Sequence, residues 1–364
     1  MKKVFLFAYD HINVGDDLFI YTITRRYPNV QFYLWSLSKN KITFRSLKNL
    51  KIISQDTGII SLLQKVRPSF VARYKDWWCK QCDAVVYIGG SIFIEYPDWK
   101  NILNWWEYAA SKYSLYVLGA NFGPYVSEEY KCQLEKIFMK MRDVCFRDKY
   151  SYKLFYNNSN IRYAPDILFS FPLSKENKIV SKQIFLSVID CTRKKEGLYS
   201  LNEFEKSYIY GMSGLIARFL KDGYKVLLSS FCEEEGDKEA INKILDTLPN
   251  IYKNRCDVLS YNGRNMQEIL QKIQQSNYIV ATRFHAVILG IVAGRPVFPL
   301  VYSDKTIHIL QDIGYQGAYF DIRIEREYNY KIVIENLQKD YVINAKDVIC
   351  QAKEHFKKLD CLLF

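Results

Sequence analysis

The sequence predicts an α/β protein with two Rossmann-like domains that face each other across a cleft. Three observations carry this prediction. Short apolar runs alternate with longer amphipathic stretches, which is the pattern of parallel α/β sheets. A polar segment over residues 172–183 separates two halves of similar size, and 364 residues suffice for two ordinary domains. We expect a first domain over residues 1–172, a second over 184–340, and a C-terminal helix over 341–364 that packs back on the first domain.

The first half consists of apolar strands that end in loops rich in glycine or polar residues. Its elements are a strand over 3–9, a helix over 16–27, a strand that ends in a glycine turn over 84–90, a strand followed by a glycine-rich loop over 115–124, a short strand over 143–148, a helix over 149–157 and a closing segment over 161–171. Asp16 stands where it would cap the first helix.

The same alternation restarts after the polar segment. Its elements are a strand over 184–190, a helix and a strand within 212–231, a helix–strand–helix–strand run over 265–302 and a helical tail over 344–360. In parallel α/β sheets, ligands bind beyond the carboxyl ends of the strands. The loops after the strands are therefore the first places to look for a site.

The composition limits the partners. The net charge of +12 favours anionic partners such as phosphorylated metabolites or acidic lipid headgroups. The basic residues form no dense block, which argues against nucleic acid. No secretory signal is visible, and the longest uncharged apolar run, Ala286 to Gly294, is too short to span a bilayer. Nine scattered cysteines, including the lone pair Cys79 and Cys82, indicate reduced structural thiols, so we expect a cytoplasmic protein.

The stretch ATRFHAVILGIVAG, residues 281–294, places two cationic side chains where an apolar strand gives way to an apolar helix. The N-terminus of a helix offers backbone N–H groups and a partial positive charge. Arg283 beside it would complete an anion pocket, and His285 could supply a proton. The alternative is that Arg283 forms a salt bridge between the domains and His285 is a satisfied structural histidine.

Two further cations follow predicted strands. Lys305 lies after a strand end and could hold a phosphate as a point charge, or it could be a solvated surface lysine. Arg147 lies at the carboxyl end of the predicted strand over 143–148 and could contact the same anion, or it could pair with Asp148 to fix a helix start.

Glycine loops and tryptophans supply the remaining candidates. The loops NVGDD (13–17), YIGGSIF (87–93) and GANFGP (119–124) follow strands, and none matches a dinucleotide or P-loop signature. Five of the six tryptophans fall between residues 77 and 106. Trp99 and Trp105 could stack on a sugar, or the cluster could lie at a membrane interface, although such clusters more often belong to a core.

Taken in order, the motifs NVGDD, YIGGSIF, GANFGP, FRDKYS, APDILF and TRFHAVILGIVAGRPVFPLVYSDK resemble those of the polysaccharide pyruvyltransferase family. The resemblance implies a fold like that of GT-B glycosyltransferases. It implies transfer of the pyruvyl group of phosphoenolpyruvate to two hydroxyls of a sugar, which gives a cyclic ketal and phosphate. It also implies a glycan acceptor, free or linked to a polyprenyl diphosphate.

The resemblance implies four catalytic residues, which match Arg147, Arg283, His285 and Lys305 in this sequence. We expect His285 to act as general acid while the other three neutralise the donor's carboxylate and phosphate. The expected substrate-binding residues are Asn13, Gly15, Asp16, Asp17, Gly89, Gly90, Asn121, Trp99, Trp105 and Asp166. Asp16, Asp17 and Asp166 are also candidates for the base. The scheme requires no metal and no cofactor.

Two other functions fit the same sequence. One is a nucleotide-sugar glycosyltransferase of the same fold, and the other is a non-catalytic glycan-binding protein. A lipid-linked acceptor would bring the protein to the inner face of the membrane, where its positive charge would help it to bind.

Overall fold

The structure is a computed structural model that describes residues 1–173, 179, 182–196, 199–324 and 330–364. It divides into two compact units. Unit 1 comprises residues 1–11, 16–167 and 351–364, and unit 2 comprises residues 12–15 and 168–350. Most of the polar segment predicted as a linker, residues 172–183, lies outside the described residues.

Unit 1 is built on a seven-stranded sheet. Its strands are β1 (Lys3–Phe7), β2 (Gln31–Ser36), β3 (Leu50–Ser54), β4 (Ala84–Ile88), β5 (Leu115–Ala120), β6 (Asp143–Phe146) and β7 (Ile161–Tyr163). They pair in parallel in the order β3-β2-β1-β4-β5-β6-β7. β4, β5 and β6 carry almost continuous buried apolar residues, as expected for parallel strands covered on both faces.

Helices connect the strands of unit 1. They are α1 (Val14–Arg26), α2 (Gly58–Val66), α3 (Pro68–Lys80), α4 (Trp99–Lys112), α5 (Glu128–Phe138) and α6 (Lys149–Phe155), with 3₁₀ turns at Ser38–Lys41 and Ile167–Ser170. Sequence chemistry fixes two of the helix starts. Ser127 accepts a hydrogen bond from the Tyr130 N–H at the start of α5, and Asp148 accepts one from the Ser151 N–H at the start of α6.

Unit 2 contains a six-stranded parallel sheet and a short antiparallel ribbon. The strands are β8 (Gln183–Ser187), β9 (Lys195–Glu196), β10 (Tyr199–Ser200), β11 (Lys225–Ser230), β12 (Cys256–Ser260), β13 (Tyr278–Ala281), β14 (Val297–Val301) and β15 (Phe320–Asp321). The large sheet has the order β12-β11-β8-β13-β14-β15, and β9 pairs with β10.

The helices of unit 2 pack an apolar core around this sheet. They are α7 (Glu205–Lys221), α8 (Asp237–Asp246), α9 (Asn250–Lys253), α10 (Met266–Gln275), α11 (Phe284–Val292), α12 (Asp304–Asp312) and α13 (Tyr330–Leu337), with 3₁₀ turns at Asn202–Phe204 and Glu233–Glu235. The chain ends in α14 (Lys346–Ala352), a 3₁₀ turn at Lys353–Phe356 and α15 (Lys357–Leu363). The predicted α/β class with two parallel-sheet units is confirmed.

The start of the first helix differs from the prediction. α1 begins at Val14, and the Asn13 Oδ1 accepts a hydrogen bond of 3.0 Å from the Gly15 N–H. Asp16 lies inside the first turn, so the prediction that it caps the helix is wrong. There its charge lies near the positive end of the helix dipole.

The last residues of the chain pack within unit 1. Asp360 accepts hydrogen bonds from the Arg26 guanidinium, of 2.9 Å from Nε and 2.6 Å from Nη2. Phe356 and Leu359 are buried. Across the stretches that the structure describes, none of the helices has the length and apolar character needed to cross a membrane.

Candidate functional site

Five predicted site residues of unit 1 lie along one edge of its sheet. Gly89 and Gly90 follow β4, Asn121 follows β5, Arg147 follows β6, and Asp166 lies beyond the end of β7. These four strands are neighbours and run parallel, so their carboxyl ends share an edge. That edge is where parallel α/β sheets bind ligands.

Arg147 is fixed by hydrogen bonds to two of these residues. Its Nη1 donates to the Asp166 Oδ2 at 3.0 Å, and its Nη2 donates to the Asn121 Oδ1 at 2.6 Å. The arginine side chain is 3% exposed and the aspartate is fully buried. Arg147 thus forms an ion pair with Asp166, and Asp148 caps α6. Contact of Arg147 with an anion stays a prediction.

Gly90 lies directly beneath the Arg147 guanidinium. A methyl group added to Gly90 would overlap the guanidinium atoms, far inside van der Waals separation. The Gly90 carbonyl also accepts a 2.9 Å hydrogen bond from the Asn121 N–H. A glycine is therefore required here because the backbone closely approaches a charged side chain.

The C-terminal segment contacts residues that precede Asp166 in the chain. The fully buried His355 Nε2 lies 2.9 Å from the carbonyl oxygen of Pro165, the residue before Asp166. Arg162 forms a paired ion bridge to Asp143 and also donates to the Glu354 carbonyl at 2.7 Å. Burial, with the nearby charge of Arg162, lowers the pKa of His355 to about 3. His355 is therefore neutral at ordinary pH.

The carboxyl edge of the unit 2 sheet carries the other three predicted catalytic residues. Arg283 and His285 follow β13 at the start of α11, and Lys305 follows the neighbouring strand β14 at the start of α12. The prediction that strand–helix turns carry these residues is confirmed by the element bounds. Arg283 is buried, whereas His285 and Lys305 are half-buried and so remain partly accessible.

Arg283 is held by two carboxylates of its own unit. Its Nε donates to the Asp237 Oδ2 at 2.9 Å, its Nη2 contacts the other oxygen of Asp237, and its Nη1 contacts Glu235. Glu235 also pairs with Lys194. Burial opposes the charge of Arg283, but Asp237 and Glu235 raise its pKa well above the ordinary value. Burial likewise opposes the charge of Glu235, but Arg283 and Lys194 lower its pKa overall.

This network has a chemical consequence. Three of the five N–H donors of the guanidinium bond to Asp237 and Glu235. Two cations and two carboxylates largely cancel one another, so Arg283 is weaker as an isolated anion receptor than its charge suggests. These salt bridges lie within unit 2, whereas the alternative expected one between domains. Direct contact of Arg283 with an anion stays a prediction.

His285 lies against the NVGDD loop, whose residues 12–15 belong to unit 2. A methyl group added to Gly15 would overlap the imidazole ring, with Nδ1 the nearest atom. The loop is anchored by a 3.2 Å hydrogen bond from the Val14 N–H to the Phe231 carbonyl, at the end of β11. The Phe284 ring packs edge-on to the imidazole with centroids 5.1 Å apart. The loop backbone and Phe284 together restrict the orientation of the imidazole.

Lys305 extends over aromatic rings next to His285. Its Nζ lies 5.9 Å from the centroid of Phe284 and 5.6 Å from that of Tyr302. Such cation–π contacts orient an ammonium group. Ser303 occupies the N-cap position of α12, and Asp304 is the first residue of the helix. Asp304 pairs with Arg323 at 2.8 Å.

The profile of one family, described as polysaccharide pyruvyl transferase, matches residues 13–304. The match spans most of the chain. It contains Arg147, Arg283 and His285, and Lys305 follows it directly. The chain belongs to the polysaccharide pyruvyl transferase family.

Solved structures resemble this family member in fold. UDP-GlcNAc 2-epimerase from Methanocaldococcus jannaschii, in complex with UDP-GlcNAc and UDP, gives a TM-score of 0.62 at 12% identity, covering 100% of this chain and 99% of that one. Anabaena HepE in complex with UDP and glucose gives a TM-score of 0.59 at 12% identity, covering 99% of this chain and 97% of that one. UDP-GlcNAc 2-epimerase from Neisseria meningitidis gives a TM-score of 0.59 at 10% identity, covering 99% of this chain and 100% of that one. These likenesses establish a GT-B-like fold.

The tryptophans of this family member are largely engaged in packing. The Trp105 indole N–H donates to the Tyr87 hydroxyl, and the Lys75 Nζ lies 3.6 Å from the centroid of its ring. Trp99 packs edge-on against Tyr130, with centroids 5.4 Å apart. Both are half-buried and contact the unit 1 core, which favours the core alternative. Contact of either residue with a sugar stays a prediction.

The remaining predicted groups lie in α1 and at the end of α3. Asp16 and Asp17 occupy the first turn of α1, and Asp17 is 2% exposed. Cys79 and Cys82 are free thiols whose pKa values burial raises to about 12, in keeping with a structural role. No cluster of three potential metal ligands occurs among the residues that the structure describes.

The sequence did not reveal four residues that contact the predicted site residues or their immediate neighbours. They are Lys194, Glu235, Asp237 and His355. The run SFCEEEGD after β11 was an available signal for two of them, because acidic residues at the carboxyl end of a strand face the candidate edge. Nothing near His355 in the sequence pointed to its contact 190 residues away.

Proposed function

We propose that this protein transfers the pyruvyl group of phosphoenolpyruvate to two hydroxyls of one sugar, forming a cyclic ketal and releasing phosphate. The sugar belongs to a surface polysaccharide or to its lipid-linked precursor. Membership of the family supports the reaction class. The donor and the ketal chemistry are the proposal.

The observation that carries the proposal is the position of His285. It lies in the first turn of α11, with its ring fixed against Gly15 and Phe284 and with Lys305 beside Phe284. A fixed imidazole at a helix N-terminus, next to an ammonium group, suits an anionic substrate that must receive a proton.

The reaction requires acid catalysis and charge neutralisation. A proton from His285 adds to the methylene carbon of phosphoenolpyruvate and generates positive charge at C2. A sugar hydroxyl attacks C2, the bond from C2 to the phosphate oxygen breaks, and a second hydroxyl closes the ring. Each hydroxyl loses its proton, so the sugar gains the mass of one pyruvic acid less one water, and phosphate departs.

Each remaining residue has a proposed role. Lys305 and Arg147 neutralise the donor's carboxylate and phosphate, which a protein must desolvate to bind. Arg283 adds positive charge at the start of α11, while its bonds to Asp237 and Glu235 fix that helix start. A carboxylate among Asp16, Asp17 and Asp166 receives the hydroxyl proton.

The acceptor and the site of action extend the proposal. Hexoses and acetylated hexosamines carry pairs of hydroxyls suited to a ketal ring. A polyprenyl-diphosphate-linked acceptor would bring the reaction to the inner face of the membrane, with the enzyme itself in the cytoplasm.

The first experiment compares ligands by thermal shift. Phosphoenolpyruvate should raise the Tm of the wild-type protein, and UDP-sugars should not. A Tm increase with nucleotide sugars alone would support a glycosyltransferase instead. Binding of glycans with no phosphate release from phosphoenolpyruvate would support a non-catalytic protein.

A further inference from the structure

Helices α2 and α3 present four large apolar side chains to solvent. Leu62, Val66, Phe70 and Trp77 are 63%, 67%, 47% and 51% exposed. We call these residues, together with the exposed basic residues Arg73 and Lys80, the α2–α3 surface. Contiguous exposed apolar groups on a soluble domain usually mark an interaction surface.

The helical spacing places these residues in one stripe on each helix. Phe70, Arg73, Trp77 and Lys80 are separated by three, four and three positions along α3, the spacing of a single helical face. Leu62 and Val66 are four positions apart on α2. Each helix therefore presents apolar side chains on an outer face, and on α3 basic side chains flank them.

The packing beneath α3 holds Trp77 outward. Its ring meets Trp78 edge-on at 5.0 Å between centroids, and Trp78 packs on Tyr33 at 4.8 Å. Tyr33 and Trp78 both contact the unit 1 core. The outward position of Trp77 is thus set by contacts with the core, which distinguishes it from a freely rotating surface side chain.

The charge around these side chains indicates the kind of partner. Helices α2 and α3 and the residue between them carry four exposed basic side chains, Lys65, Arg67, Arg73 and Lys80, and one acidic side chain, Asp76, which pairs with Lys80 at 2.7 Å. The balance is 4 − 1 = +3. Two copies of this surface would repel each other. A basic face with a central tryptophan and aliphatic groups instead matches an anionic lipid surface, which attracts cations and admits apolar side chains at the headgroup boundary.

We propose that the α2–α3 surface binds the protein peripherally to an anionic lipid bilayer. Leu62, Val66, Phe70 and Trp77 enter the boundary between headgroups and acyl chains, and the basic side chains contact lipid phosphates. This inference rests on the proposed function in one respect, because membrane binding would bring the protein to a lipid-linked acceptor. Its test does not depend on pyruvyl transfer.

The test is sedimentation of the full-length protein with phosphatidylcholine vesicles, with and without phosphatidylglycerol. The wild-type protein should bind only the anionic vesicles, and added salt should weaken binding. The double variant Phe70→Ser/Trp77→Ser and the charge variant Lys65→Glu/Arg73→Glu should each bind at least about tenfold more weakly. A control variant, Tyr210→Ser/Ile251→Ser, removes apolar groups that are 59% and 71% exposed in unit 2 and should bind like wild type.

Thermal unfolding of each variant establishes that it folds. Because there are two independent surface variants, the test still holds if one of them does not fold. Absence of wild-type binding to anionic vesicles would overturn the proposal, as would unchanged binding by both surface variants. So would self-association of the wild-type protein that Phe70→Ser/Trp77→Ser abolishes, because the surface would then serve a second copy. Phosphate release with a soluble acceptor should be unchanged in these variants, which separates this inference from the proposed reaction.

Discussion

The imidazole of His285 lies so close to the backbone of Gly15 that no side chain fits between them. The contact joins residues far apart in sequence within one compact unit. Gly15 is therefore required for its lack of a side chain, and it fixes the plane in which the His285 ring lies.

Substitution of Gly15 by alanine tests this relationship. The added methyl group must displace the imidazole, and a misplacement of about 1 Å in a catalytic group can reduce the rate about 10²-fold. We expect Gly15→Ala to reduce phosphate release from phosphoenolpyruvate by about that factor, measured in a coupled phosphate assay. The matched control is Gly58→Ala, because no atom lies within 4 Å of a methyl group added there. Equal activity of the two variants would contradict the proposed role of the ring.

Gly90 offers the corresponding test in unit 1. A methyl group at Gly90 would push the Arg147 guanidinium away from Asp166 and Asn121. If Arg147 neutralises the donor, Gly90→Ala should raise the KM for phosphoenolpyruvate about tenfold or more, by loss of charge-assisted hydrogen bonds. Steady-state kinetics measure the change, with Gly58→Ala again as control. An unchanged KM would argue that Arg147 serves only the fold.

The buried pair of Arg283 and Asp237 predicts a loss of stability. Asp237 is fully buried and also accepts hydrogen bonds of 2.9 and 3.0 Å from the N–H groups of Phe231 and Cys232. Asp237→Ala leaves a buried cation short of a partner and should lower the free energy of unfolding by about 3–5 kcal/mol. Urea denaturation of the wild-type protein and the variant measures this difference in the free energy of unfolding.

An exposed ion pair provides the matched control for that variant. Lys253 and Asp246 lie 2.6 Å apart on the surface of unit 2, with side chains 40% and 69% exposed. Asp246→Ala should lower the free energy of unfolding by at most about 1 kcal/mol. A comparable loss in both variants would show that burial does not determine the strength of the Arg283 network.

His355 predicts how stability depends on pH. Burial lowers its pKa from 6.5 to about 3 in the folded protein, so the unfolded chain binds the proton more readily. Its contribution to stability is therefore complete above about pH 6.5 and declines as the pH falls toward 3. His355→Gln retains a donor for the Pro165 carbonyl but does not titrate. Over that range the free energy of unfolding should fall more steeply for wild type than for the variant, and parallel curves would refute the assignment.

Local sequence signals predicted the architecture well. The strand β13, the helix α11 and the turn between them follow from an apolar run, a polar turn and a terminal glycine, and the carboxyl-edge rule then places Arg283 and His285. The bounds were less accurate. The helix predicted to start at residue 16 begins two residues earlier, at Val14. The side chain of Asn13, and not that of Asp16, accepts a hydrogen bond at this helix start, from the Gly15 N–H.

Contacts between distant residues could not be predicted from the sequence. Arg283 pairs with Asp237, 46 positions away, and Arg147 pairs with Asp166, 19 positions away. Only the folded sheet brings such partners to one edge. The same holds for His355, whose contact with Pro165 depends on the path of the chain terminus.

The most direct test of the central claim is mass spectrometry of the sugar product formed from phosphoenolpyruvate in heavy water. Candidate hexose and acetylated hexosamine acceptors are incubated with wild-type protein and with His285→Asn, then returned to ordinary water to exchange hydroxyl deuterium. The account predicts a sugar heavier by one ketal-linked pyruvyl group, with one methyl hydrogen of that group replaced by retained deuterium, and no such product with the variant. Full activity of His285→Asn, or transfer without methyl deuterium, would contradict it.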